Sequence, residues 1–283
     1  MSEEHRNRST GWKHAKLTGH SNEELVKNLL DTNSDYLKKL LQRIGYGNEE
    51  VLSTSIGGLH ETDVPGVLGR KTKSKTDLKI FCKSGKQINI SIKKSLSGQV
   101  YFVKAQLFID VYEKQFNKAI PENVQKGIKL FWAGDTENAT SIINQLGDKS
   151  DNKTYNLQLR HKSVNATTLK KYDISIYNEM LDWFKNNSHD LAKLCFTMGA
   201  VEDENEWSEF VWYINLLEEN NVDEIFKIDD ICNAVVANAN IETYYSQSNG
   251  GTTIQLPFGF VQWHQKQMQF HHMYSKLALL LKV

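Results

Sequence analysis

The sequence predicts an α/β fold, a mixed central β-sheet flanked by helices. Three observations predict it. A capped amphipathic helix starts at Ser21, two stretches over 76–82 and 87–94 alternate with period two, and helical and strand-like text continues to the C-terminus. With 283 residues, 40% hydrophobic and 24% charged, the chain can bury a real core, in one large domain or in a domain with a substantial insertion.

The first helix is predicted from Ser21-Asn22-Glu23-Glu24, a capping-box pattern with Ser21 as N-cap and Glu24 three residues on. Leu25, Val26, Leu29 and Leu30 then fall on one helical face. A second helix follows through Tyr36, Leu37, Leu40, Leu41 and Ile44, and Gly45 and Gly47 end it. A β-hairpin comes next around Ser84-Gly85. Leu78 and Ile80 alternate with Asp77 and Lys79, and Ile88, Ile90 and Ile92 alternate with Asn89, Ser91 and Lys93.

Residues 99–116 read as an amphipathic helix. From Gly134 to Lys171 the text is rich in Asn, Thr and Lys and reads as loops and an irregular insertion. Residues 176–187 read as helix, 191–197 as strand or helix, 206–217 as an aromatic strand and 228–237 as helix. Late strands are predicted over 252–256 and 265–271, around the Pro257-Phe258-Gly259 turn. Trp183, Trp207 and Trp212 are expected in the core.

Composition narrows the function classes. Lys plus Arg and Asp plus Glu both total 34, which argues against a generally basic nucleic-acid coat but leaves room for a local basic cleft. Cys82, Cys195 and Cys232 show no CxxC spacing, so they give no zinc site, and their sparse, odd count fits a reducing cytoplasm. The stretch Met1–Gly11 is polar and charged, unlike a signal peptide, and no apolar run is long enough to span a membrane.

The residues that can carry chemistry are Asp77, the Ser91-Ile92-Lys93 run and Glu23. Phosphodiester hydrolysis needs an attacking water, neutralisation of charge on phosphorus and help for the leaving oxygen. Carboxylate-held Mg2+ and a nearby lysine supply these. Residues 91 and 93 share one strand face, and a paired strand about 4.8 Å away brings Asp77 within reach. Read by itself, Lys93 is more readily a solvated strand residue, and Glu23 and Glu24 are more simply acids favoured at a helix N-terminus.

Ordered matches along the chain add to this. Residues 19–26 (GHSNEELV), 75–80 (KTDLKI), 89–93 (NISIK), 252–255 (TTIQ) and 267–270 (QMQF) resemble, in order and spacing, segments of the PD-(D/E)xK type II restriction endonucleases of the MspI/HinP type, which cut short palindromes. The resemblance implies a PD-(D/E)xK restriction-endonuclease-like core, with the active site at the sheet edge where Asp77 and Lys93 meet. It implies Mg2+-dependent cleavage of double-stranded DNA, with Asp77, Ser91, Lys93 and Glu23 at the catalytic site and Asp77, the Ile92 carbonyl and Glu23 around the metal. Gln99, just past the catalytic strand, is a further catalytic candidate that would hydrogen-bond the scissile phosphate, or equally a helix-surface group. It implies a cytoplasmic restriction-modification enzyme, a monomer or weak dimer, paired with a protective DNA methyltransferase. Residues 1–283 then form one endonuclease domain, with a catalytic core over about 19–133 and DNA-contacting loops and a C-terminal part over about 134–283.

Ser91 departs from this pattern, since it stands where the family has Asn or Gln and the wider motif has an acid. Serine supplies no anionic ligand. A repair or junction-resolving nuclease with the same core, and a DNA-binding protein with a dead nuclease core, are therefore the alternatives. Candidate phosphate contacts are Lys71, Lys73, Lys75, Lys94, Lys104, Arg160 and Lys162. Gln265, Gln267 and Gln269 share one side of the last predicted strand and are candidates to read base edges, or simply its polar face.

Overall fold

The computed structural model describes residues 8–56, 63–218 and 222–282, so the first seven residues of the polar amino-terminal stretch lie outside the described residues. Helices α1 (Arg8–Thr32) and α2 (Ser34–Arg43) lead into a mixed five-stranded sheet. It contains β1 (Val51–Ile56), β4 (Leu78–Cys82), β5 (Gln87–Lys93), β7 (Phe210–Ile214) and β8 (Asp223–Lys227), in the spatial order β1-β4-β5-β7-β8. The β4–β5 hairpin is antiparallel with Leu78 opposite Ile90, and β5 pairs in parallel with β7, Lys93 opposite Tyr213. The short strands β2 (Asp63–Pro65) and β3 (Lys71–Lys73) form a ribbon beside it.

Alternation decides which way this sheet faces. Ile88, Ile90, Ile92, Phe210, Trp212 and Ile214 pack with Val26, Leu30, Leu40 and Leu41 of the first two helices. Val211, Tyr213 and Phe226 belong to the larger core on the opposite face. That core is built by α3 (Ala105–Phe116), α4 (Glu122–Phe131), α8 (Ile174–Asn186), α9 (Ser188–Lys193), α10 (Ile228–Glu242) and a second sheet. The second sheet is antiparallel and runs β6-β12-β11-β10-β9. Its members are β6 (Ser97–Val103), β9 (Tyr244–Ser246), β10 (Thr253–Leu256), β11 (Gly259–His264) and β12 (Gln267–Met273). The chain is therefore an α/β protein with a helix-flanked mixed sheet, as expected, joined to an all-antiparallel sheet that was not.

Several elements differ from expectation. Helix α1 runs through Ser21, which is thus no N-cap. A capping box needs a non-helical residue before it, and the single Gly19 costs only about 1 kcal/mol inside a helix. Residues 99–116 are not one helix, because Gln99, Tyr101, Phe102 and Val103 pair with β12 before α3 begins. The polar stretch 134–171 is helical, comprising α5 (Thr136–Leu146), α6 (Asn152–His161) and α7 (Ala166–Tyr172). Its polar residues are caps, with the Asp135, Asp151 and Asn165 side chains accepting from the amides of Asn138, Thr154 and Thr168. Residues 191–197 are helical, ending in a π-turn at Leu194–Met198. At the C-terminus an extra strand, β11, intervenes between the two late strands. Gln265 and Lys266 form the β11–β12 turn with φ of 48° and 61°, so Gln265 is not on the strand. Trp183 and Trp212 are in the core and Trp207 packs partly against it.

Candidate active site

The cluster begins where β4 begins. Asp77 precedes the strand, and its backbone N–H donates to the Ile90 carbonyl at 3.0 Å. Beyond that point β4 offers no backbone partner to the Ile92 amide, and the Asp77 carboxylate takes its place. Oδ2 accepts from Ile92 N at 2.7 Å and from Ser91 Oγ at 3.0 Å. Lys93 folds back along β5, its Nζ donating to Ser91 Oγ at 2.5 Å and to the Ile92 carbonyl at 3.2 Å, 3.6 Å from Asp77 Oδ2. The Ser91 hydroxyl is buried and bridges cation and anion, accepting from one and donating to the other. Asp77 and Lys93 meet at strand ends in the middle of the sheet, not along an edge strand, because β5 is the central strand of five.

Glu23 reaches the cluster from α1. The helix is pinned there by Asn22, fully buried, whose amide donates to the Ile214 carbonyl at 2.9 Å while its oxygen accepts from Leu216 N at 2.7 Å. Both partners lie at the end of β7, next to Lys93's strand. Glu23 Oε2 lies 3.2 Å from His20 Nδ1. Burial pushes the Glu23 carboxyl up to about 7, and the Asp77 charge adds to the rise against the pull of His20 and Lys93. His20 was not singled out in the sequence. The i,i+3 spacing to Glu23 would have exposed it had the helix been extended back past Ser21.

Lys75 is a correction. Expected to track phosphates from the surface, it lies beneath the site instead, donating to the Val100 carbonyl at 2.5 Å and lying 4.8 Å from the centre of the Tyr101 ring. Burial lowers its pKa to about 8, with Lys93 acting in the same direction and Cys195 and Asp77 opposing. It ties the first sheet to the second. Lys71 and Lys73 lie exposed on β3, Lys73 Nζ being 2.8 Å from Asp63, and Lys104 caps α3 on the surface. Lys94 and Lys93 line a cavity of about 340 Å³ with Ser95, Ser97, Tyr213 and Asn215. Arg160 and Lys162 are exposed at the end of α6, and His161 between them stacks on Trp263 of β11 at 3.6 Å between ring centres.

Gln99 sits on β6, not on a helix, and joins the second sheet's outer face. Gln269 donates to Gln99 Oε1 at 3.1 Å, and Gln262 donates to Gln269 Oε1 at 3.0 Å and lies 3.2 Å from His271 Nε2. Phe260 stacks on His271, their ring centres 4.5 Å apart. The face is amide, imidazole and aromatic, and Gln267 shares it through register with His264. Its reverse carries Met268, Phe270 and His272 into the core.

No protein-family model matches this sequence, and no curated protein is similar to it. Among solved structures, a crystal structure of the restriction endonuclease MspI in complex with its cognate DNA is similar at 13% identity and a TM-score of 0.45, covering 92% of this chain and 87% of that one. At that identity and superposition it remains a likeness, and the reading of function rests on the site.

Proposed function

We propose that this protein is a Mg2+-dependent DNA endonuclease of the PD-(D/E)xK type, and a type II restriction enzyme that cuts double-stranded DNA at a short palindrome. One observation carries the reading. A strand-start carboxylate and a lysine meet through a bridging serine, and a second carboxylate, Glu23, lies close enough to feel the charge of both. The donor set suits the metal. Asp77, Glu23 and the Ile92 carbonyl offer hard oxygens, and the ionisation of Glu23, disfavoured by burial and by the Asp77 charge, would be favoured by a bound cation. Asp77, Glu23 and Ile92 would hold the ion, which supplies Lewis-acid neutralisation of charge on the phosphodiester.

The chain's own groups do the rest. Lys93, aimed by Ser91 and the Ile92 carbonyl, stabilises negative charge as it builds on phosphorus. His20 orients Glu23. The outer face of the second sheet presents the glutamines that would pair with adenine edges, and Lys71, Lys94, Lys104, Arg160 and Lys162 would contact phosphates. A DNA methyltransferase is the partner this reading requires, and a cytoplasmic monomer or weak dimer fits it.

A second reading is a DNA-binding protein with a dead nuclease core. It is favoured by Ser91, and by the absence, among the described residues, of any group of three or more His, Cys, Asp or Glu able to hold a metal. Digestion of a sequenced phage DNA with Mg2+, followed by sequencing of the ends, separates the two. Fixed ends support the restriction enzyme, nicks confined to mismatches or junctions support a repair nuclease, and metal-independent binding without cutting supports the dead core.

A further inference from the structure

Tyr213 is the register partner of Lys93 across the parallel β5–β7 pair, so both side chains rise from the same face of the first sheet, and both line the 340 Å³ cavity. The Tyr213 hydroxyl lies 2.8 Å from His272 Nδ1, and both residues are buried. Their rings meet edge to face, with centres 5.3 Å apart. His272 belongs to β12. It is the residue after His271, which faces the opposite way and joins the amide network of the outer face.

The backbones of β11 and β12 approach closely beside His272. Its cross-strand neighbours are both glycines, Gly259 on β11 and Gly98 on β6. A Cβ on Gly98 would lie 3.5 Å from His272 Nε2, and one on Gly259 would lie 1.9 Å from the His271 carbonyl oxygen. Only Lys94, Ser95 and Leu96 separate Lys93 from the start of β6. The second sheet is therefore linked to the lysine's strand by two short routes, one covalent and one through His272 and Tyr213, the register partner of Lys93. Burial, with the Lys93 charge next, pushes the His272 imidazole down to about 3, so it is neutral and can accept from the tyrosine hydroxyl.

We propose that Tyr213 and His272 are positioning residues that fix Lys93 and tie its placement to β12, the strand that carries the amide face. Neither touches the reacting atoms. Neutral and fully buried, the pair forms a rigid wall beside a flexible four-carbon side chain, and a site held this way depends on its supporting shell. The consequence for DNA cleavage rests on the endonuclease reading, whereas the hold on Lys93 does not.

The test uses the full chain and two readouts. Acetic anhydride labelling, followed by mass spectrometry, measures the reactivity of Lys93 against exposed Lys149 in the wild type, Tyr213→Phe, His272→Leu and His272→Asn, each first checked for a wild-type melting transition. Tyr213→Phe and His272→Leu are expected to raise relative Lys93 labelling several-fold. His272→Asn, whose amide can occupy the Nδ1 position, is expected to restore it. In single-turnover cleavage with Mg2+, Tyr213→Phe is expected to slow the rate at least tenfold with unchanged DNA affinity in Ca2+, and His272→Asn to recover most of it. Wild-type Lys93 labelling in all three variants would overturn the proposal. A wild type that never cuts DNA would instead overturn the endonuclease reading, and the labelling would still decide the role of the pair.

Discussion

Replacing Glu23 with Gln tests the electrostatics of the cluster without needing a substrate. In the folded chain the carboxyl is raised from 4.5 to about 7, chiefly by burial and then by Asp77. At about 1.4 kcal/mol per pH unit, this corresponds to a penalty of up to about 3 kcal/mol on the ionised folded state. A raised carboxylate pKa means that the folded state holds its proton while the unfolded chain has released it. Below pH 4.5 both states are protonated and there is no penalty. Stability then falls as pH rises toward 7, and the full loss persists above. The glutamine variant resembles the protonated acid at every pH. Urea denaturation without divalent ions should find Glu23→Gln equal to the wild type near pH 4 and more stable at pH 8, by up to about 3 kcal/mol. Adding Mg2+ at pH 8 should stabilise the wild type more than the variant. Equal stability at both pH values would refute the picture of a buried Glu23 carboxyl whose ionisation is opposed by burial and by the Asp77 charge.

Other outcomes follow from the same geometry. Ser91→Glu places an acid beside Asp77 and should lower the Mg2+ concentration for half-maximal activity or change the preference between Mg2+ and Mn2+; an unchanged titration would show that residue 91 does not reach the ion. Gln267→Ala should weaken binding to the specific duplex by about 1–3 kcal/mol and leave a scrambled duplex unaffected, whereas Lys71→Ala should weaken both and flatten the salt dependence, as competition binding in Ca2+ would reveal. Gly259→Ala drives a Cβ against the His271 carbonyl and should cost at least about 2 kcal/mol in denaturant unfolding; a smaller loss would mean that β11 and β12 can part freely.

The hairpin carrying Asp77, Ser91 and Lys93 was legible because its signals are local. Isoleucines alternate with polar residues on β5, and Ser84-Gly85 supplies the turn. The site's position in the middle of the sheet was not legible, since it depends on β7 pairing in parallel from more than a hundred residues away. The helices between Gly134 and Lys171 were misread because Asp and Asn serve equally as loop residues and as caps, and only the backbone decides between them. Strand β11 escaped notice because its alternation is broken, the apolar Phe260 sharing one face with the polar Gln262 and His264. Lys75 looked like its exposed neighbours Lys71 and Lys73, and only the approach of β6 reveals that it is covered. The Tyr213–His272 contact joins residues 59 positions apart and leaves no trace in either segment.

The central claim is that Asp77 and Lys93 cut DNA. Purified wild type, Asp77→Ala and Lys93→Ala should be incubated with a sequenced double-stranded phage DNA in Mg2+ and in Ca2+, and every new end sequenced. The account predicts cutting by the wild type at one short recurrent sequence in Mg2+, none by Asp77→Ala, and a rate lower by several orders of magnitude for Lys93→Ala with site binding in Ca2+ retained. Cutting by Asp77→Ala at the wild-type rate, or DNA bound by the wild type and never cut, would contradict it.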